Sequence, residues 1–371
     1  LAKNPRQAPA VSFYITSAIH HFTGHRHFGM LTALFLPLFL HFAYFYPLIS
    51  PMLEFALLAT GLVLLIKGSD WLVSGGSGLA KKYQVPDIVI GLTIVSFGTS
   101  LPELLVSLLA SLKGSSDIAV GNVLGSNIAN ILLILGVSAV IYPLTVKRNT
   151  TWVEIPMSLM AAVLLGLLAH FGFGSSSDYH VISRGDGLIL LTAFAGFMWY
   201  IFRLVKKGKQ VAVEVEGFEP MPLQKALLLI AAGTSAMAVG GKLSVDNAIV
   251  LAQSWGVSES LIGLTVVAVG TSLPELATSA VAAYKKETDI AVGNVVGSNI
   301  FNILWILGIS TSITPMPFRD EINFDFAMVI ASSLLLFVFM FTGKRHSLDR
   351  WKGIVFILLY VLYTIYLINR G

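Results

Sequence analysis

The sequence predicts an all-α polytopic membrane protein, built from ten core transmembrane helices arranged as two inverted five-helix repeats. Three observations lead there. The 371-residue chain is 55% hydrophobic and only 12% charged, about half the charge of an ordinary soluble domain. Its apolar runs are continuous rather than alternating with period two, which excludes a β-barrel. Finally, one half of the chain repeats in the other at a single offset of 172 residues. A bilayer core needs roughly 20 apolar residues per helix, and runs of that length fill the chain without leaving room for a soluble catalytic domain.

Apolar runs bounded by Pro, Gly, Asn and charge place spans near 52–79, 87–112, 117–141, 152–171, 186–206, 223–254, 259–284, 289–313, 323–342 and 352–369. The domain reading follows: an N-terminal extension at 1–51, a first repeat at 52–206, a cytoplasmic linker at 207–222 and a second repeat at 223–371. The extension has two readings. Gly29 to Ile49 is apolar enough for an extra helix, with Pro47 to Pro51 as its outer turn; alternatively, the stretch lies upstream of a true start at Met52. No signal-peptide cleavage pattern is evident.

Lys and Arg set the expected orientation. Fourteen lie in the loops after spans one, three, five, seven and nine, against four after spans two, four and eight and at the C-terminus. The odd-numbered loops are therefore expected to be cytoplasmic and the C-terminus outside. This accounts for the net charge of +4 better than nucleic-acid binding does. The chain has no cysteine, which removes disulfides, thiolate metal sites and cysteine nucleophiles.

The duplication is specific. Ile90–Ser111 aligns with Ile262–Ala283, and Asp117–Gly136 aligns without a gap with Asp289–Gly308, differing at three of twenty positions. Five spans per unit is an odd number, so the second unit must enter the membrane in the opposite sense. That is the plan of secondary transporters, whose ion sites lie near the midplane where the repeats meet.

The second helix of each unit is interrupted by Gly98-Thr99-Ser100-Leu101-Pro102-Glu103 and by Gly270-Thr271-Ser272-Leu273-Pro274-Glu275. Proline removes a backbone donor and glycine tolerates the break, so carbonyls near Thr99 and Thr271 should be freed beside a mid-membrane carboxylate. Charge at that depth costs at least ~2.5 kcal/mol. Two such acids meeting across a pseudo-two-fold axis would repel unless a cation or proton lay between them.

The third helix adds Asn122, Ser126, Asn127 and Asn130, echoed by Asn294, Ser298, Asn299 and Asn302. Ser126 and Asn130 share a helix face, as do Ser298 and Asn302. Carboxylate, amide and hydroxyl oxygens without sulfur or imidazole suit Ca²⁺ or Na⁺ and are poor for zinc or copper. Simpler roles compete. Gly121, Gly125, Gly293 and Gly297 are expected to serve close packing. Asn122 and Asn294 can be interhelical hydrogen bonders, and Asn127 and Asn299 fall between that role and ion binding. Asp70 and Asp246 do not align and read as structural or boundary residues; Asp117 and Asp289 read as helix-start acids. His20, His21, His25 and His27 are a weak metal-binding candidate.

These paired GTSLPE and GNVxGSNIxNI blocks resemble the cation/calcium exchanger superfamily, most closely its bacterial and archaeal calcium/sodium antiporters, over about residues 52–370. The resemblance implies exchange of Na⁺ for Ca²⁺ by alternating access in the cell (inner) membrane. It implies no enzyme activity, ATP or cofactor; the substrates are the two ions, and no protein partner is inferable. It further implies that Glu103 and Glu275 are central carboxylates shared by both ions, with the Thr99 and Thr271 carbonyls as Ca²⁺ ligands. Ser100, Ser126, Ser272 and Ser298 would mainly bind Na⁺, with Asn130 and Asn302 at the remaining polar positions. Some relatives carry Asp at the last position, where it is associated with K⁺ use; here both are Asn, so K⁺-independent transport is expected. A Ca²⁺/H⁺ antiporter stays open as an alternative, although its usual GNxxE motif is missing, and a non-transporting receptor or scaffold is the remote one.

Overall fold

The structure, a computed structural model, describes the backbone of residues 29–113, 116–171, 181–211, 221–256, 270–319 and 322–370; side chains at 29–51, 116–117 and 207–211 lie outside the description. The chain divides into two units, Leu1–Ala56 and Leu57–Gly371. Helix α1 is continuous over Gly29–Tyr83. The turn expected at Pro47–Pro51 is replaced by helix, because an isolated proline removes a single backbone donor and membrane helices tolerate it. The four N-terminal histidines lie outside the described residues.

In the second unit the helices are α2 (Asp87–Thr99), α3 (Leu101–Leu112), α5 (Thr150–Phe171), α6 (Arg184–Val211), α7 (Leu223–Ser254), α8 (Leu273–Tyr284), α10 (Asn323–Phe339) and α11 (Arg350–Arg370). Between them, α4 runs through Ser116–Ile128, Ala129–Leu135 and Gly136–Ile141, and α9 covers Thr288–Ile313. Seven described helices are long and apolar enough to cross a membrane, and α2 with α3 makes an eighth span bent by 49°. The protein is thus an all-helical, polytopic membrane protein. The first half of the span expected at 259–284 falls on residues that are not described.

α4 and α9 form the centre: 72% and 94% of their apolar windows are buried, against 22% and 28% for α1 and α7. α9 packs on α2 through facing glycines. A Cβ on Gly293 would lie 3.0 Å from Gly91 Cα and 2.9 Å from the Ile88 carbonyl oxygen, so only hydrogen fits there. This is the packing role expected of Gly293, and Gly297 has it too, against Leu92 and Ser96. A Cβ on Gly121 or Gly125 would meet nothing of another element within 4 Å among the described residues, so the packing role expected of these two is not seen there.

α1 and α7 cross just as closely. Gly61 faces Gly240, Gly68 faces Gly233 and Gly75 faces Ala226. The partner number falls by seven for every seven gained, so the first helices of the two repeats run antiparallel, with small residues every second turn allowing backbones to touch.

Four two-residue strands depart from the purely helical expectation. β1 (Leu144–Thr145) pairs with β4 (Ser347–Leu348), and β2 (Val181–Ile182) pairs with β3 (Met316–Pro317), both antiparallel. Each ladder joins a loop of one repeat to a loop of the other, satisfying backbone groups where the chain leaves the helices. The loop after span three thus lies beside that after span nine, and the loop after span four beside that after span eight. Lys352, one of the fourteen basic residues assigned above to the odd-numbered loops, is fully buried and donates to the carbonyls of Thr342 and Ser347 at 2.7 and 2.6 Å, with Asp349 at 3.1 Å. Asp70 pairs with Lys285 at 2.6 Å, and Asp246 pairs with Lys242 at 2.7 Å on its own helix. Asp289, in the first turn of α9, makes no capping bond and lies 3.7 Å from Lys147.

Candidate ion-binding site

The helix break falls where proline and glycine placed it. α2 ends at Thr99, Ser100 leaves helical geometry at φ −83°, ψ 8°, and α3 starts with Pro102 in its first turn. The second copy matches, with Ser272 at φ −88°, ψ 7°. Bonds bracket each break: Leu104 N–H donates to Ser100 O at 3.1 Å, and Leu276 N–H to Ser272 O at 3.0 Å. Because the break precedes them, Glu103 and Glu275 sit in the first turn of a new helix. Backbone N–H groups and the dipole there favour a carboxylate.

Each broken helix serves the acid of the other repeat. Ser100 Oγ donates to Glu275 Oε1 at 3.0 Å and lies 3.0 Å from Ser298 Oγ. Its mate Ser272 Oγ donates to Glu103 Oε1 at 3.3 Å and lies 3.3 Å from Ser126 Oγ. Both glutamates are 1% exposed. The structure therefore brings Glu103, Glu275 and four of the predicted serines into one buried layer, with every contact crossing the repeat boundary.

Asn122 and Asn294 have their amides fully engaged. Asn122 Nδ2 donates to Ser107 Oγ at 3.1 Å and to Glu103 O at 3.5 Å, and its Oδ1 accepts from Thr271 Oγ1 at 3.4 Å. Asn294 donates to Ser279 Oγ at 2.9 Å and to Glu275 O at 3.4 Å, and accepts from Thr99 Oγ1 at 3.1 Å. They hold the broken helix by its backbone and fix the threonines, which is the interhelical role weighed for them.

Asn130 and Asn302 lie where both central helices widen into π-helical turns, Ala129–Leu135 and Phe301–Leu307. Such turns gather at functional sites. The amide nitrogens bond across the boundary, Asn130 Nδ2 to Asn299 Oδ1 at 2.9 Å and Asn302 Nδ2 to Asn127 Oδ1 at 3.0 Å. Their oxygens have no protein partner.

Among the described residues ten buried side-chain polar atoms have no partner, and four of them belong to the residues of this site, in two repeat-related pairs: Glu103 Oε2 with Glu275 Oε2, and Asn130 Oδ1 with Asn302 Oδ1. An unmade bond on a buried polar atom costs about 1–3 kcal/mol, more for a charged one; a third repeat-related pair, Ser138 Oγ with Ser310 Oγ, consists of hydroxyls, whereas these four are oxygens that can only accept and argue for a ligand that satisfies oxygen. Among the described residues no group of three or more His, Cys, Asp or Glu is placed to hold a metal; neutral oxygens must complete any coordination by the two carboxylates.

Sequence reasoning missed Ser107, Ser279 and Ser96. The first two align at the same offset of 172, a signal that was present. Ser96 Oγ donates to Gly91 O at 2.6 Å and to Asn294 O at 2.9 Å, pinning α2 to α9, a role that follows from packing and leaves no motif.

The family profile described as sodium/calcium exchanger protein matches residues 53–203 and 225–369. The chain belongs to the sodium/calcium exchanger family. This exchanger is 33% identical over 349 residues to the sodium/calcium exchanger MaX1 of Methanosarcina acetivorans, covering 85% of this chain and 98% of that one. It is 42% identical over 274 residues to the inner membrane protein YrbG of Escherichia coli, covering 71% and 81%. Among solved structures it is similar to the sodium-calcium exchanger NCX_Mj soaked with 10 mM Na⁺ and 10 mM Sr²⁺, with TM-score 0.71 and 36% identity over 84% of this chain and 97% of that one. MaX1 and NCX_Mj are exchangers by name, and the family reading from the paired motifs holds.

Proposed function

We propose that this exchanger moves Ca²⁺ across the membrane in exchange for Na⁺, without K⁺, through the layer centred on Glu103 and Glu275. The observation that carries this reading is the set of four partnerless acceptor oxygens, two carboxylate and two amide. Hard cations take oxygen ligands. Ca²⁺ neutralises both glutamates, whereas one Na⁺ leaves a carboxylate uncompensated in a low-dielectric layer, so several Na⁺ ions are needed to displace one Ca²⁺. With Asn130 and Asn302 both amides, the layer holds two fixed negative charges, one fewer than a site with Asp at either position; this supports K⁺ independence. The Thr99 and Thr271 carbonyls and the four serine hydroxyls lie at the helix breaks, where they can complete the coordination of either ion. The orientation proposed is that of the basic loops, with the odd-numbered ones cytoplasmic and the C-terminus outside.

Everted membrane vesicles test it. A Na⁺ gradient directed out of the vesicle should drive ⁴⁵Ca²⁺ uptake equally with and without K⁺. Uptake driven by a proton gradient alone would replace Na⁺ by H⁺ in the mechanism; an absolute K⁺ requirement would remove the two-charge argument.

A further inference from the structure

Asn127 and Asn299 were weighed as ion ligands, but the structure gives both ends of each amide another task. Asn127 Nδ2 donates to the backbone oxygen of Asn299 at 3.4 Å, and Asn299 Nδ2 donates to the backbone oxygen of Asn127 at 3.4 Å. A carbonyl can only accept, so these bonds force each Nδ2 toward the opposite backbone and each Oδ1 the other way. Each Oδ1 then accepts from the second asparagine of the opposite repeat: Asn127 Oδ1 from Asn302 at 3.0 Å, Asn299 Oδ1 from Asn130 at 2.9 Å. The ring closes with Asn130 Oδ1 and Asn302 Oδ1 facing away from it, buried and partnerless.

An asparagine amide is nearly symmetric in shape but opposite in polarity at its two ends. Turned one way, Asn130 and Asn302 offer a cation an oxygen; turned the other way, they offer an N–H that repels it. Nothing in either residue's own helix makes that choice. We infer that Asn127 and Asn299 are positioning residues that lock the amide orientation of Asn302 and Asn130 across the repeat boundary, and so make those two side chains cation acceptors. The inference rests on the proposed cation site and adds what selects the polarity of half its partnerless oxygens. The wiring is crossed: Asn127 controls Asn302, and Asn299 controls Asn130.

Crossed wiring gives a test that a general structural role would not pass. In Asn127→Leu the anchor for Asn302 is gone and its amide is free to turn, so Ca²⁺ affinity in the purified, folded protein should fall by roughly tenfold or more, as expected when an acceptor becomes a donor. Asn302→Asp has no N–H end to present. The double variant N127L/N302D should therefore bind Ca²⁺ as N302D alone does. N127L/N130D places the same new charge on the amide that Asn127 does not orient, and should stay weaker than N130D alone by the full N127L factor. Isothermal titration with Ca²⁺ reads the parent and all five variants, and thermal unfolding verifies that each is folded. Equal deficits in both double variants would overturn the inference while leaving the cation site standing. Ca²⁺ affinity unchanged in N127L would overturn it too, whereas parent protein that binds no Ca²⁺ at all would overturn the proposed function itself.

Discussion

Replacing Glu103 by glutamine keeps the shape of the side chain and removes one of the two charges in the layer. The fold should survive: Ser272 can still donate to the amide oxygen as it does to Glu103 Oε1 at 3.3 Å, and Asn122 bonds to the Glu103 backbone rather than its side chain. Binding should not. A carboxylate oxygen about 2.4 Å from a divalent ion has a gross attraction of roughly 14 kcal/mol at an effective dielectric of about 20. Most of that is offset by desolvation, and breaking one partner of a buried charge pair costs about 3–5 kcal/mol net. At about 1.4 kcal/mol per tenfold, that is a weakening of roughly 10²- to 4 × 10³-fold. The gross term for Na⁺ is half as large, so Ca²⁺ should lose more affinity than Na⁺. Titration of purified Glu103→Gln with ⁴⁵Ca²⁺, then with Na⁺ as competitor, measures both. Ca²⁺ affinity within a few-fold of the parent, or an equal loss for both ions, would refute the assignment of Glu103 to the ion layer.

Three other outcomes follow from the packing. Gly233→Ala places a methyl 2.6 Å from the Gly68 carbonyl oxygen; forcing α1 and α7 apart should cost about 1–3 kcal/mol, read as a lower unfolding midpoint in detergent. Lys352→Met leaves Asp349 and the carbonyls of Thr342 and Ser347 without their buried cation, a loss of about 3–5 kcal/mol visible in the same melt. Asp70→Asn should change the midpoint little, because the Lys285–Asp70 pair is partly exposed on both sides and such pairs contribute about 0–1 kcal/mol.

Membrane residence, the duplication and the two broken helices were legible in the sequence because each rests on local chemistry. Apolar run length is a property of consecutive residues, and proline and glycine act on their own backbone. The glutamates could be read for the same reason: a repeated mid-membrane acid stands out against apolar neighbours. Ser96 and Lys352 could not. The first is one serine among many, and the second a lysine in a basic loop; their roles depend on which carbonyls the fold brings to them.

The division is sharpest in the third helix. The spacing of Asn122, Ser126, Asn127 and Asn130 placed all four residues in the functional region but could not separate ligand from support. Apart from the bonds of Asn122 to Ser107 and Glu103 in its own repeat, their partners lie about 150 to 175 residues away in the chain, so the packing of helix on helix is needed to show which amides are spent on protein and which oxygens are left over. Residue type and period decide where a polar group lies along its own helix. What that group faces is a property of the second helix, and for the two glutamates, the four serines, Asn127, Asn130, Asn299 and Asn302 the bonded side chain belongs to the other repeat.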